Sequence, residues 1–208
     1  MRHTLALIAT SALVALAPLS AQAALELRPG GMVYDRASDL TWLIDWNAAA
    51  GSAFDDGSSA HDGRMSWTSA MAWADALEWG GADDWRLPTA VPCFGFGCQD
   101  SEIGHLWYEV LGNRAGLPAV NTAPFEHVAF APYWSGTAQA GAPAQAWYFN
   151  TLGGSQNLLP LTAQAHAVAV HQGDVLSPVP EPPMAWLALA GLAITAGASR
   201  RLRAAAQP

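Results

Sequence analysis

Three aspartates in one loop are the first residues whose type and spacing could do chemistry. Asp55, Asp56 and Asp62 lie in "AFDDGSSAHDGRM", a segment rich in glycine and serine. Ca²⁺ prefers clustered oxygen ligands, so this loop is a calcium candidate. Its spacing does not match an EF-hand loop, and Asp-Gly pairs also form turns. The sequence leaves both interpretations open and indicates no other cofactor.

The only two cysteines, Cys93 and Cys98, lie in "CFGFGC". An even cysteine count in a chain with export signals favours a local disulfide. A metal pair or a redox couple is the alternative, but the spacing is not C-x-x-C and there is no second cysteine pair. We therefore predict a Cys93–Cys98 disulfide.

Enzyme signatures are missing from the sequence. Ser135 lies in "YWSGT" without a G-x-S-x-G elbow, and there is no H-E-x-x-H, phosphate loop or dinucleotide fingerprint. His166 and His171 are an odd number of residues apart, so on one strand they would point to opposite faces. No catalytic residue is predicted, and we expect a protein that is not an enzyme.

The excess of acidic over basic residues indicates which classes of partner the protein can bind. The chain has no lysine, and five arginines stand against sixteen acidic residues between positions 24 and 176. Nucleic acids and sulfated polymers need a basic surface, so neutral polymers or cations fit better. Nine tryptophans in the same segment should be mostly core, with one or two available to stack on a sugar.

The N-terminus has the pattern of a secretory signal peptide. A short basic start precedes an apolar run over residues 5–16, and Ala21-Gln22-Ala23 forms an A-x-A site. We expect residues 1–23 to direct Sec export and to be cut between Ala23 and Ala24. An uncleaved membrane anchor is the alternative.

The C-terminus has three parts, which together form the tail 177–208. Pro180, Glu181 and Pro182 predict an extended segment, and a hydrophobic helix is expected over about 183–199. Arg200, Arg201 and Arg203 follow and would hold that end on the cytoplasmic side. A plain C-terminal membrane anchor is the alternative.

The segment 24–176 is long enough for one domain with its own core. Two strands are expected in "GMVYDRASDLTWLID", a helix from Ser66 to about Trp79, and a helix capped by Ser101 and closed by Gly112-Asn113. Short β-prone segments follow late in the chain. This order predicts an α+β fold, in which two helices flank a small antiparallel sheet.

The tail resembles the PEP-CTERM sorting signal, with Pro180-Glu181-Pro182, an apolar helix and an arginine cluster in that order. This resemblance implies processing by an exosortase, a membrane protease. It also implies transient anchoring in the inner membrane of a Gram-negative-type bacterium. The protein would then move to the envelope, the cell surface or the extracellular matrix.

The segment between the two ends resembles the Lcl C-terminal domain family. The matching sequence segments are "GMVYDRASDLTWL", "HDGRMSWTSAMAWADAL", "DDWRLPT", "SEIGHLWYEVLGN", "NTAPF", "PYWSGT", "AWYFNTLGG" and "AVAVHQGDV". The resemblance implies a C-type-lectin-like fold and an adhesive module, which in the best-described member of the family binds sulfated polysaccharide.

The motifs shared with this family also have a structural interpretation. Trp85 and Leu87 would alternate into the core before Pro88, and Arg86 would pair with a carboxylate, perhaps that of Asp83 or Asp84. Trp134 and Trp147 would pack across neighbouring strands. We interpret these residues as framework and not as ligand contacts.

Three functions remain. The leading hypothesis is an exported, non-enzymatic module that binds polysaccharide or adheres to the surface or matrix. The alternatives are a structural envelope protein without a specific ligand, and an enzyme on a lectin-like scaffold.

Overall fold

The computed structural model describes residues 25–59, 61–141 and 144–175. The expected signal peptide, its Ala23–Ala24 cleavage site, the Pro180–Pro182 motif and the hydrophobic helix at about 183–199 all lie outside these residues. Within the described ranges, no helix has the length and apolar character needed to cross a membrane.

The first sheet has four strands, all paired antiparallel. They are β1 (Leu25–Arg28), β2 (Met32–Asp35), β3 (Leu40–Leu43) and β9 (Val170–Gln172). Their order across the sheet is β1-β2-β3-β9, so β1 is an edge strand. The hairpin of β2 and β3 confirms the two strands predicted in this segment, with Asp39 in the turn at φ 54°.

The second sheet has five strands and is mixed. They are β4 (Arg64–Met65), β5 (Pro132–Ala138), β6 (Gln145–Asn150), β7 (Ser155–Pro160) and β8 (Ala165–His166). Their order is β4-β8-β5-β6-β7, and only the β5–β8 pairing is parallel.

Two short helices lie between β4 and β5 in the chain. Helix α1 (Trp67–Asp75) begins where the Ser66 hydroxyl accepts a hydrogen bond from the Ser69 N–H at 3.3 Å. Helix α2 (Glu102–His105) continues into a π-helical turn at Leu106–Val110. A π-helical turn inserts an extra residue per turn and often marks a functional region.

Both sheets bury side chains on both faces. Neighbouring residues of one strand belong to two different hydrophobic clusters, Met32 and Val33 on β2, and Trp134 and Tyr133 on β5. The first cluster includes the buried residues of α1, and the second includes those of α2 and its π-helical turn. Two cores therefore lie on opposite sides of the strands.

The predicted α+β fold with two helices flanking a small sheet is wrong. The described chain is mostly β, with sheets of four and five strands. Helix α1 ends at Asp75 and not at Trp79, because Trp79 and Ala82 exchange backbone hydrogen bonds across Gly80 and Gly81. Both glycines have positive φ, so this pair forms a tight turn instead of a helix stop.

Candidate functional site

The predicted disulfide is confirmed. Cys93 and Cys98 are bonded, with their Cα atoms 5.7 Å apart. The bond closes a loop over residues 93–98, which we call the disulfide loop. A loop of this size cannot bury its own side chains, so its exposed groups are presented to solvent.

The β7 strand holds one side of the disulfide loop. Gly95 and Gln156 exchange both backbone hydrogen bonds, at 2.9 and 2.7 Å. The Gln156 side-chain amide also donates to the carbonyl oxygens of Val91 at 2.8 Å and Cys93 at 3.1 Å. Gln156 is fully buried, so these bonds are shielded from water.

The helical segment holds the other side of the disulfide loop. The Tyr108 hydroxyl accepts from the Gly97 N–H at 3.1 Å and donates to the Gly154 carbonyl at 2.6 Å. Gly104 of α2 lies so close to the Cys98 carbonyl oxygen that an added Cβ would be 1.9 Å from it. Strand and helix together fix the loop in one position.

Two phenylalanines project from this fixed loop. Phe94 is 63% exposed and Phe96 is 57% exposed. The Phe94 ring packs on Trp147, with centroids 4.7 Å apart, and Phe96 lies over the backbone of Gly116 and Gly153. We call Phe94, Phe96 and these two glycines the aromatic surface.

Several arginines of the described residues form ion pairs with acidic side chains outside the aromatic surface. Arg28 pairs with Asp174 and Glu26, Arg36 also pairs with Glu26, and hydrogen bonds from these two arginines lower the pKa of Glu26. Such pairing offsets the charge of these two arginines, whereas Arg64 and Arg114 form no ion pair within the described residues. The aromatic surface itself contains no ionisable group.

Most tryptophans of the described residues are buried, as expected. Of those in the described residues, only Trp79 is exposed, at 40%, and its indole N–H donates to the Gly30 carbonyl at 2.7 Å. Trp147 is 2% exposed, and the Phe94 ring packs against it.

Two residues of the "DWRLPT" motif, Trp85 and Leu87, belong to the hydrophobic core. Trp85 and Leu87 are 2% and 1% exposed. The carboxylate assignment was wrong, because the Arg86 guanidinium forms two hydrogen bonds with Glu102, at 2.7 and 2.8 Å. Asp84 instead lies against the His171 Nε2 atom. The chain after Pro88 folds back, and Glu102 also accepts from the Thr89 N–H at 2.7 Å.

Strand pairing explains the two remaining framework residues. Trp134 is fully buried, and its indole N–H donates to the Met65 carbonyl at 2.9 Å. Trp134 lies opposite Tyr148 across the β5–β6 pair, and Trp147 lies opposite Leu158 across the β6–β7 pair. Cross-strand packing of this kind was expected.

Two aspartates of the calcium candidate loop, Asp55 and Asp62, hold turns. Asp55 accepts from the N–H groups of Gly51 and Gly63, at 2.9 and 3.2 Å, and Asp62 accepts from the Arg64 N–H at 3.0 Å. No group of three or more His, Cys, Asp or Glu side chains within the described residues could hold a metal ion. Calcium binding stays an untested prediction.

Asp56 binds Ser66, the residue that caps α1, through the Ser66 N–H and hydroxyl. Burial opposes its ionisation, but hydrogen bonds from the Ser66 N–H, the Ser66 and Ser69 hydroxyls and the Gln164 side chain outweigh burial and lower its pKa. The carboxylate is therefore held ionised as a structural group.

The residues considered for catalysis lie on three different strands, Ser135 on β5, His166 on β8 and His171 on β9. Ser135 is 3% exposed and its hydroxyl donates to the Trp147 carbonyl at 3.0 Å. His166 lies in β8 and His171 in β9, so the two histidines do not share a strand. Burial and the nearby Arg64 lower the pKa of His166, whose ring lies 5.3 Å from that of Tyr133.

The aromatic surface was missed at the sequence level, although a signal for it exists. In "CFGFGC" two phenylalanines alternate with two glycines inside a closed ring of six residues. Gly95 and Gly97 have φ of 87° and 77°, which glycine adopts without strain. Apolar side chains in so short a ring have no interior to enter.

Comparison with protein families confirms the family resemblance that the sequence motifs indicate. No curated protein matches the chain significantly. The family described as the Lcl C-terminal domain matches residues 31–171, which covers both sheets except β1 and the last residue of β9. The chain therefore belongs to the Lcl C-terminal domain family.

Proposed function

We propose that the protein is an exported, non-enzymatic module that binds a neutral extracellular polysaccharide through its aromatic surface. The observation that carries this proposal is the pair of exposed rings, Phe94 and Phe96, on a loop fixed by a disulfide, a strand and a helix. Exposed apolar groups held rigidly at a surface mark interaction sites, because they lose little entropy on binding.

The chemistry of the surface favours a sugar ring. A pyranose has an apolar C–H face that can lie flat on an aromatic ring, and its hydroxyl groups stay in water. The glycine backbone at Gly116 and Gly153 leaves room beside Phe96, since neither residue has a side chain. A chain of sugars could run across both phenylalanines.

Charge favours a neutral polymer over an anionic one. The protein has a net charge of −8, and Arg28, Arg36 and Arg86 are each held in ion pairs. A sulfated or carboxylated polymer would meet repulsion that these paired cations do not offset.

Export and sorting form a second part of the proposal. Cleavage between Ala23 and Ala24, membrane anchoring by the tail and processing at Pro180–Pro182 by an exosortase-type protease would bring the domain to the envelope, surface or matrix. Mass spectrometry of the protein recovered outside the cell tests this directly. The expected species begins at Ala24 and lacks the arginine cluster, whereas an intact C-terminus would contradict processing.

Binding is tested with the mature chain from Ala24 in detergent, applied to immobilised polymers. The panel holds neutral glucan, mannan and galactan, one carboxylated polymer and one sulfated polymer. Phe94→Ala and Phe96→Ala are the test variants. Phe130→Ala is the matched control, because Phe130 is 52% exposed and lies outside the aromatic surface.

We expect at least one neutral polymer to retain the wild-type and Phe130→Ala proteins and to release both test variants. Retention by no neutral polymer would overturn the proposal and leave a structural envelope protein. Equal retention of all four proteins would show that binding does not use the aromatic surface.

A further inference from the structure

Strand β1 is the one sheet edge that the described residues leave open along its length. On the other edge of the first sheet, Val170 of β9 and Arg86 exchange both backbone hydrogen bonds, at 2.8 and 2.9 Å. In the second sheet, the edge strand β4 has only two residues. No described segment pairs with the outer side of β1, and an open edge of this kind invites another strand.

The outer side of β7, the remaining edge strand, is blocked. Gln156 is paired there with Gly95, and alternation along the strand places Leu158 and Pro160 on the same side. The Leu158 N–H donates to the Asn157 side-chain oxygen at 2.8 Å, and proline has no N–H. Every outward N–H of β7 is therefore occupied or missing, in contrast to β1.

The outward backbone groups of β1 belong to Leu25 and Leu27. Residues of β2 bond alternately to β3 and to β1, and the bond from the Ile44 N–H to the Gly31 carbonyl, at 2.9 Å, sets this alternation. The other two residues of β1 therefore bond to β2. The Leu27 carbonyl receives only a 3.3 Å bond from the exposed Arg28 side chain, and its second lone pair can accept another donor.

The sheet face that carries these two leucines is apolar and open. Leu27 is 64% exposed, although it lies opposite the fully buried Val33 in the β1–β2 pair. Leu25 and Leu27 form one wall of a groove of about 660 Å³, and residues 110–111 and 120–124 form the rest. A strand that covers this edge must present apolar side chains on the same face.

We propose that β1 pairs with β1 of a second copy of this chain, antiparallel, about a two-fold axis at Leu27. In this pairing the Leu27 N–H of each copy donates to the Leu27 carbonyl of the other. The two leucine side chains lie opposite each other on the groove face, so each covers the other. The pairing joins the two four-stranded sheets into one, and its two-fold symmetry limits the assembly to a dimer.

The charges of β1 favour this register. Glu26 and Arg28 alternate with the leucines and therefore lie on the opposite face of the strand. An axis at Leu27 places Glu26 of each copy opposite Arg28 of the other, which forms two complementary pairs. An axis at Glu26 would instead place two carboxylates opposite each other, which is unfavourable. The strand is thus complementary to itself in both its apolar and its charged positions.

Cysteine cross-linking of the full mature chain tests the register. Residue 27 of the two copies forms a hydrogen-bonded pair with Cα atoms about 5.5 Å apart, a distance that suits a disulfide. The two copies of residue 26 are offset along the strands by two residues, which exceeds the reach of a disulfide. Under mild oxidation Leu27→Cys should form a covalent dimer at least tenfold faster than Glu26→Cys. Equal rates, or a faster reaction of Glu26→Cys, would overturn the proposal.

Sedimentation velocity in density-matched detergent measures the association itself. We expect a monomer–dimer equilibrium for the wild type, and Leu27→Asp, which places two carboxylates at the axis, should raise the dimer Kd at least tenfold. Leu152→Asp is the matched control, because Leu152 is 51% exposed and lies outside β1 and the groove. Its Kd should equal that of the wild type. A wild type that stays monomeric at every concentration, or a dimer that both aspartate variants affect equally, would overturn the proposal.

Discussion

Replacing Gly104 by alanine is the change for which sequence and structure predict opposite results. Gly104 lies inside helix α2, and alanine in a helix interior is normally favoured over glycine by about 1 kcal/mol. In this protein the added Cβ would lie 1.9 Å from the Cys98 carbonyl oxygen and 2.9 Å from its carbonyl carbon. Both atoms belong to the backbone of the disulfide loop, so no side-chain rotation can relieve the overlap.

The size of the effect follows from that distance. A carbon and an oxygen in van der Waals contact are more than 3 Å apart, so helix or loop must move by more than 1 Å. Overpacking of this kind costs roughly 1–3 kcal/mol, which exceeds the gain in helix propensity. We therefore expect Gly104→Ala to lower the free energy of unfolding by about 1–2 kcal/mol.

Urea denaturation followed by tryptophan fluorescence measures this change, and the m-value shows whether the unfolded state is affected. Displacement of the loop should also change the NMR signals of Phe94 and Phe96. A Gly104→Ala protein as stable as the wild type, or more stable, would refute the close packing of α2 against the disulfide loop.

Three further predictions concern the framework. Arg86→Ala should lower stability by about 2 kcal/mol, because two charge-assisted hydrogen bonds to Glu102 are lost, and a double-mutant cycle with Glu102→Gln should show coupling between the two residues. The folded protein binds a proton at His166 less readily than the unfolded chain, since the His166 pKa is lowered on folding. Stability should therefore fall as the pH drops below about 6.5, and pH-dependent denaturation should show a smaller fall in His166→Gln. Reduction of Cys93–Cys98 should cost about 2 kcal/mol but leave the far-UV circular dichroism unchanged, and a loss of the β signal would contradict this.

Local patterns were enough to predict several elements of the fold. The Ser66 cap, the β2–β3 hairpin, the Cys93–Cys98 disulfide and the burial of Trp85 each depend on residues within a few positions of one another. Short-range hydrogen bonds and strand alternation determine such features, so the sequence carries them directly.

Features set by distant contacts could not be predicted in this way. Strand β9 joins β3, and Thr41 pairs with His171 far along the chain, so nothing near either segment indicates a first sheet of four strands. Glu102 reaches Arg86 only because the intervening loop folds back on Thr89. The candidate site depends on a similar long-range pairing, between Gly95 and Gln156.

Titration of the protein with a neutral oligosaccharide from the polymer that retains it tests polysaccharide binding most directly. NMR should show the ring protons of Phe94 and Phe96 shifting together in a saturable manner, while those of Phe130 stay unchanged. Burial of roughly 60 Å² of ring at about 25 cal/mol/Å² gives about 1.5 kcal/mol, so Phe96→Ala should weaken Kd about tenfold. Saturable binding that leaves both rings unshifted and Phe96→Ala at wild-type affinity would contradict the proposed function.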